Sequence, residues 1–207
     1  MSEHDRAVKE SIRARHRAQR TATPSGQRDA AGAAIAVHGA TWAEQLAGAA
    51  PSTFCAYLGV VPEPPTLPLI SELHRRGHTV LLPVCEPGRQ LSWTQWTPET
   101  EFVRSRFAPV LEPAGPRHGL AIMASVSGLL MPATALDLSG NRIGQGGGYY
   151  DVLLGSLASE GLEIPLAAIV FDTEVLPAGT IPAEAFDRKV PVALTPSGLV
   201  RLSPPPE

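Results

Sequence analysis

The chain has 207 residues, a formal charge of −3 and 43% hydrophobic residues. This length favours a single domain with a substantial core, and the small net charge excludes the strong field that recruits nucleic acid or an anionic membrane. No apolar stretch approaches the about 20 residues that a spanning helix needs, and the polar start, Met1–Asp5, opens no secretory signal. We expect a cytoplasmic monomer with no nucleic-acid or membrane partner.

The first elements in chain order are helical. Residues 5–20 contain good helix formers without Gly or Pro, which predicts a polar helix. Residues 27–48 are rich in Ala and predict a second, more buried helix. After a short buried strand predicted over Thr53–Leu58, apolar residues at helical spacing predict a third helix over Leu67–Arg76, which Gly77 ends.

The rest of the chain predicts mainly strands. Strand and helix in alternation indicate an α/β fold, one domain over residues 1–207 with a largely parallel sheet flanked by helices. Ligands of such sheets gather at the carboxyl ends of strands. Residues 201–207 are expected to form a frayed tail. The predicted elements are the strands Thr79–Val84, Leu91–Trp96 (alternating, half-exposed), Val126–Met131, Leu166–Phe171 and Val190–Leu194, and the helix Tyr149–Leu157.

Metal-binding and redox-active side chains are few. Cys55 and Cys85 both lie in or beside apolar runs, which favours buried free thiols over a disulfide. The six histidines share no spacing that would make them a metal site.

The most informative stretch is the glycine-rich loop Asn141–Asp151. Four of its residues 144–148 are glycine, so backbone N–H groups can form a concave anion site. A helix beginning near Tyr149 adds the positive end of its dipole. Arg142 offers a planar fork to phosphate oxygens, and Asp151 could hold a Mg²⁺ that bridges them. The loop lacks the Gly-Lys-Ser/Thr ending of a Walker P-loop. A flexible turn that only caps a helix is the alternative.

The whole segment Leu136–Asp151 closely resembles the signature of the 5-formyltetrahydrofolate cyclo-ligase family, also called methenyltetrahydrofolate synthetases. In that family an Asp, a Gly, an Arg, a spaced glycine run and a Tyr-Asp pair follow in this order. The resemblance runs from residue 9 to residue 195, nearly the full chain. Further segments that resemble the family, in the family's order, are Lys9–Arg13, Tyr57–Thr66, Phe107–Pro113, and Ile181–Asp187 followed by Val190 and Thr195.

The resemblance implies an ATP- and Mg²⁺-dependent conversion of 5-formyltetrahydrofolate to 5,10-methenyltetrahydrofolate through an iminium phosphate, with release of ADP and phosphate. It makes Lys9 and Arg142 catalytic and Asp151 and Asp187 metal ligands. The implied ATP-binding residues are Lys9, Glu10, Ser11, Ile12, Arg13, Arg142, Ile143, Gly144, Gln145, Gly146, Gly147, Gly148, Tyr149 and Tyr150. The implied folate-binding residues are Arg13, Leu58, Glu63, Gln145, Gly146, Gly147, Gly148 and Tyr149.

The residue chemistry agrees with these roles but leaves alternatives open. Lys9 and Arg13 stand at i and i+4 of a helix and can reach one polyanion, although a cationic helix face is commonly just solvated. The carboxylate of Glu63 can accept paired hydrogen bonds from a pterin, although its neighbouring prolines also fit an exposed turn. Tyr149 and Tyr150 either contact the substrate or pack the start of their helix.

Several residues depart from the family pattern, namely Pro64, Pro65, Ala108, Phe186 and Pro191. They keep a second hypothesis open, a nucleotide- or folate-binding relative that retains the fold without turnover. A third hypothesis, a nucleic-acid partner for the basic N-terminal helix, is disfavoured by the net acidity and by the lack of interleaved aromatic residues.

Overall fold

The computed structural model describes residues 2–183 and 187–202, and it confirms the predicted α/β class. Three short 3₁₀ helices, Pro87–Arg89, Leu120–Ser125 and Asp172–Glu174, join the regular elements. The helices are α1 Glu3–Ala22, α2 Ser25–Ala47, α3 Leu67–Arg75 and α4 Tyr149–Ser159. The strands are β1 Thr53–Cys55, β2 Thr79–Cys85, β3 Leu91–Trp96, β4 Phe102–Arg104, β5 Leu111–Pro113, β6 Val126–Pro132, β7 Ala135–Asp137, β8 Arg142–Ile143, β9 Leu166–Ile169, β10 Val175–Leu176, β11 Val192–Thr195 and β12 Gly198–Arg201.

The main sheet has seven strands in the order β12-β11-β9-β6-β1-β2-β3. Pairing is parallel from β11 across to β2, and the two edge strands β12 and β3 are antiparallel to their neighbours. From β1 the chain builds outward to β2 and β3, and it then crosses to β6, β9 and β11 on the other side. The strand order therefore reverses between β1 and β6, the position at which open α/β sheets form their ligand crevice.

Helices cover both faces of this sheet. Successive residues of a strand point to opposite faces, and the two apolar clusters follow that alternation. Phe54 and Leu130 pack with α2 and α3 in one cluster, whereas Cys55 and Leu129 pack with α4 in the other. The core is thus two apolar layers, one on each side of the sheet, and both predicted thiols are buried and free.

Helix α2 approaches the sheet closely because β6 carries a glycine. A Cβ on Gly128 would stand 2.8 Å from the ring of Trp42, which is closer than real Cβ contacts allow. Trp42 can therefore pack this closely against the strand only where residue 128 has no side chain. The α-helices of the described chain are all too short or too polar to span a membrane.

Several predicted strands differ in extent or exposure, and β9 ends at Ile169 rather than at Phe171. β1 ends at Cys55 rather than Leu58, because the Thr66 hydroxyl donates to the carbonyl of Tyr57 and accepts from the N–H of Gly59. β11 begins at Val192 rather than at residue 190, because Pro191 has no N–H to give the sheet.

β3 is not half-exposed, since five of its six residues are buried. Its outer edge is covered by the segment before the second 3₁₀ helix: Trp93 and His118 exchange two backbone hydrogen bonds of 2.8 Å. The expected frayed tail also begins too early, because Arg201 completes β12 and Leu202 is buried. Positions 184–186, which include Phe186, and 203–207 lie outside the described residues.

The short strands were not predicted at all. β7 pairs with β8 and β10 in a small three-stranded sheet, and β4 pairs with β5 as a hairpin. Each has only two or three residues, too few to show an alternating pattern.

Candidate functional site

A cavity of about 950 Å³ opens at the carboxyl ends of β1, β2 and β6, where the strand order reverses. One side is formed by α1 and another by the glycine-rich loop. The wall at the strand ends is largely apolar. The cavity is lined from α1 by Lys9, Arg13, Arg17 and Arg20, from the strand ends by Tyr57, Leu58, Leu82, Pro83, Pro132 and Ala133, and from the loop by residues 142–151.

Helix α1 meets the protein body through a stripe of basic residues. It is capped by Ser2, whose hydroxyl accepts the N–H of Asp5. Its buried residues are Lys9, Ile12, His16 and Arg20, spaced as one helical face. The Lys9 ammonium pairs with Asp187 at 3.1 Å. The charged stripe faces the cavity and not the core.

Arg13 connects this helix directly to the glycine-rich loop. Its Nε donates to the carbonyl of Gly144 at 2.9 Å, while its Nη1 pairs with Glu10. The predicted sharing of one polyanion by Lys9 and Arg13 has the right geometry, because both residues line the same cavity.

The loop itself has the shape that an anion site requires. Gly146 and Gly148 have φ values of 95° and 75°, in the left-handed region that favours glycine. Helix α4 starts at Tyr149, as predicted, and Gly148 is its N-cap without any side-chain capping bond. The first N–H groups of α4 are thus left for a ligand, at the positive end of the helix dipole.

The two predicted metal ligands are each held by a predicted phosphate ligand. Arg142 donates to Asp151 through Nη2, as Lys9 does to Asp187. The Arg142 side chain is only 7% exposed and that of Asp151 is 64% exposed, so the carboxylate can leave while the guanidinium stays in place. The buried Nε of Arg142 has no hydrogen-bond partner.

This donor set fits Mg²⁺ and does not fit a metal held by protein ligands alone. In the described chain no cluster of three or more His, Cys, Asp or Glu side chains could hold an ion. Two carboxylates at a phosphate-binding loop are the usual protein share of a Mg²⁺ site, whose other ligands are phosphate oxygens and water.

Glu63 supplies a carboxylate beside the apolar wall. It accepts hydrogen bonds from the N–H of Val60 at 3.2 Å and from the amide of Gln145 at 3.3 Å. Burial raises the pKa of Glu63 above its ordinary value, and burial also raises that of the neighbouring Tyr57. A carboxylate with so few partners in a desolvated place is suited to bind a ligand that donates hydrogen bonds.

The two tyrosines of the loop differ in their surroundings. The hydroxyl of Tyr149 donates to the carbonyl of Phe107 at 3.3 Å. The hydroxyl of Tyr150 is buried without a partner, and burial raises its pKa. Both line the cavity, so contact with a substrate and packing of the helix start remain compatible with the geometry of each.

Three predicted ATP-binding residues lie away from the cavity. Glu10 and Ser11 are on the exposed side of α1. Ile12 belongs to a small apolar cluster with Ala135 and Ile143. Every other predicted site residue lines the cavity, and the roles of all the predicted site residues stay predictions.

Sequence reasoning missed three cavity arginines, Arg17, Arg20 and Arg89. Helical spacing from Lys9 and Arg13 could have found Arg20. Arg89 follows the carboxyl end of β2 with a φ of 61°, and its Cδ lies 3.3 Å from where a Cβ of Gly148 would be. A turn after a parallel strand was the only signal for it.

The fold and cavity define an α/β protein with a basic, glycine-lined cavity at the switch point of its sheet. A sequence profile of the 5-formyltetrahydrofolate cyclo-ligase family matches residues 5–196. The chain belongs to the 5-formyltetrahydrofolate cyclo-ligase family, and it is therefore a ligase.

Individual relatives agree. The 5-formyltetrahydrofolate cyclo-ligase of Mycolicibacterium smegmatis is 36% identical over 156 residues, covering 72% of this chain and 77% of the relative. That of Escherichia coli is 29% identical over 147 residues, covering 70% and 78%.

Two solved structures share the fold. The 5,10-methenyltetrahydrofolate synthetase of Aquifex aeolicus superposes with a TM-score of 0.69 at 21% identity, over 97% of this chain and 95% of the other. That of Mycoplasma pneumoniae superposes with a TM-score of 0.67 at 14% identity, over 91% and 98%. At these identities the likeness speaks for the fold alone.

Proposed function

We propose that this chain converts 5-formyltetrahydrofolate to 5,10-methenyltetrahydrofolate with ATP as co-substrate and Mg²⁺ as its metal. One observation carries the proposal: a single cavity joins a cationic glycine loop at a helix N-terminus to a half-buried carboxylate in an apolar wall. The first feature suits a triphosphate and the second suits a pterin. The volume of this cavity, about 950 Å³, is at the upper end of the range for ligand pockets.

The triphosphate would lie between α1 and the loop. Lys9 and Arg13 approach from the helix, and Arg142 approaches from β8. The N–H groups at the start of α4 complete a set of donors around the phosphates. Asp151 and Asp187 would hold Mg²⁺, which lowers the cost of bringing the phosphate charges together.

The folate would lie against the strand ends. Glu63 would accept hydrogen bonds from the amino and amide N–H groups of the pterin, and Leu58 would contact its apolar face. Gln145 donates to Glu63 from the glycine-rich loop. The pterin and the phosphates would therefore be adjacent, as transfer between them demands.

The chemistry then needs positioning and charge neutralisation more than covalent help from the protein. The formyl oxygen attacks the γ-phosphorus, the bond to the β–γ bridging oxygen breaks, and ADP leaves. N10 attacks the activated formyl carbon and loses its proton. Departure of phosphate with the former formyl oxygen completes the ring. Lys9 and Arg142 would stabilise the charge that develops on the transferred group.

The test is direct. Purified protein is mixed with 5-formyltetrahydrofolate and MgATP, and the near-ultraviolet band of the methenyl product is followed. We expect the band to grow with equal release of phosphate. Binding of ATP and folate by calorimetry, with no band, would instead identify the non-catalytic relative that the sequence departures left open.

A further inference from the structure

Arg20 makes three hydrogen bonds from the cavity wall through Nε and Nη2, while its buried Nη1 has no hydrogen-bond partner. It is 2% exposed, and its Nε and Nη2 pair with the two carboxylate oxygens of Glu174 at 2.6 and 2.8 Å. Nη2 also donates to the carbonyl of Ala133 at 2.7 Å. Glu174 is 1% exposed and accepts the N–H of Phe171 at 2.9 Å. Such a two-pronged, buried contact fixes the guanidinium in one orientation.

The same helix face carries the predicted phosphate ligands. Arg20 follows Lys9 by eleven residues, three turns of α1, and the rise between them is about 16 Å. Arg13 lies between them. Because a helix is a stiff rod, a rotation or slide at Arg20 would carry the ammonium of Lys9 with it.

Besides the Arg20–Glu174 pair, α1 is attached by the single-pronged contacts of Lys9 with Asp187 and of Arg13 with Gly144 and by a small apolar cluster. The apolar contacts of this helix come from Ile12 and Val8, packed on a cluster of five buried residues that includes Ile12 itself. The hydrophobic attraction of so small a cluster is nondirectional and tolerates sliding. The bidentate Arg20–Glu174 ion pair does not tolerate such sliding, because its geometry is directional.

Arg20 also binds the part of the sheet that carries the glycine-rich loop. Ala133 lies directly after β6, in the cavity wall. The next residue, Thr134, donates its N–H to the carbonyl of Ile143 in β8 at 2.7 Å. β8 leads into Gly144, which accepts the bond from Arg13. The segment Ala133–Thr134 therefore contacts both α1, through Arg20, and the strand that leads into the glycine-rich loop.

We propose that the Arg20–Glu174 pair is a positioning device that sets the register of α1, so that Lys9 and Arg13 meet the ATP phosphates opposite the glycine-rich loop. The inference rests on the proposed function, because it takes the triphosphate as the ligand of these cations. Arg20 acts through the other two residues and is not itself a catalytic residue.

A double variant separates positioning from stability. Removal of one member would leave a buried unpaired charge, whereas replacement of both by apolar residues of similar size is commonly tolerated. In Arg20→Met/Glu174→Leu we expect the Kd for ATP, measured by calorimetry with EDTA and again with Mg²⁺, to rise by about tenfold to a hundredfold. The Kd for 5-formyltetrahydrofolate should rise much less, because Arg13 is the one predicted folate contact that lies on α1.

Two further variants complete the design. Arg20→Lys keeps the charge but cannot make the two-pronged contact, so its ATP affinity should fall between wild type and the double variant. Arg6→Met removes an equal charge from an exposed position of the same helix that does not line the cavity, and it should change both affinities by less than about twofold. Amide exchange should quicken in α1 of the double variant but not in α2.

Wild-type ATP affinity in the double variant would overturn the inference, and so would an equal loss of both ligands. If the double variant does not fold, Arg20→Lys decides by the same two affinities. Failure of the proposed function looks different, since the wild-type protein would then bind no ATP, or would bind both ligands without forming the methenyl band.

Discussion

The first two helices are neighbours in sequence but attach to the protein by opposite means. The buried residues of α2 are alanine, glycine, isoleucine and tryptophan, packed over the sheet. Two of the four buried residues of α1, Lys9 and Arg20, are cations that line the cavity. A helix that is attached through buried apolar side chains mainly stabilises the fold. A helix that is attached through cations mainly supplies residues to the site. The comparison predicts that stability and binding can be separated helix by helix.

The largest effect should come from the apolar helix. Ile35 in α2 is fully buried, and Ile35→Ala should lower the free energy of unfolding by about 3 kcal/mol through lost contacts and a cavity. Denaturant titration measures it. Val37→Ala, at a position 62% exposed on the same helix, should change it by less than about 0.5 kcal/mol. Equal losses of the free energy of unfolding in Ile35→Ala and Val37→Ala would contradict the role of α2 as a helix held by its buried apolar face.

The counterpart on α1 is Lys9→Met. We expect kcat/KM for ATP to fall by about a hundredfold, as for the loss of a donor to the transferred group, while the denaturation midpoint moves little. Initial rates of methenyl formation measure it against Arg6→Met as the control of equal charge. A variant that loses stability and keeps its rate would place Lys9 in the scaffold instead.

Glu63 tests whether the strand side of the cavity is likewise a binding region. In Glu63→Gln, affinity for 5-formyltetrahydrofolate should fall by about tenfold, since a hydrogen bond to a charged acceptor is lost, while ATP affinity is kept. The pH dependence gives a second readout. Only the ionised carboxylate of Glu63 can accept hydrogen bonds from both the amino and the amide N–H groups of the pterin. Burial raises the pKa of this carboxyl group above its ordinary value.

Wild-type folate affinity should therefore decline as the pH falls through that raised pKa, starting at a higher pH than an ordinary Glu would give. The pH profile of Glu63→Gln should be flat over the same range. An unchanged profile in the variant would assign the titration to another group.

The smallest effect concerns the pair of Arg142 with the exposed Asp151. Asp151→Asn frees Arg142 for phosphate, so affinity for ATP in the presence of EDTA should increase, by about threefold because the carboxylate of the pair is open to solvent. The Mg²⁺ concentration needed for half-maximal rate should rise at the same time. Calorimetry and a metal titration give the two values, and weaker binding of metal-free ATP would contradict the exchange of partners.

Much of this architecture could be predicted because long elements leave strong patterns. All four α-helices and the central strands were found, with ends displaced where a side chain or proline competes for the backbone, as Thr66 and Pro191 do. The two- and three-residue strands outside the main sheet could not be found, because they are set by tertiary pairing alone. The exposure of β3 was wrong because the covering segment, near His118, is distant in sequence.

The same contrast holds for the site. The glycine-rich loop, Lys9, Arg13 and Glu63 carry their chemistry in local spacing, and the structure brings them to one cavity. Arg20 depends on Glu174, a residue 154 positions away. No local pattern marks a pair of that separation.

The placement of the tryptophans has a spectroscopic consequence. Trp42 and Trp96 lie in one apolar layer and Trp93 in the other, and the cavity lining of the described chain contains none of the three. Their emission should report unfolding of the scaffold and stay almost silent when ligands bind. Fluorescence and product absorbance can then be recorded on one sample, as separate signals for the unfolding of the scaffold and for product formation in the cavity.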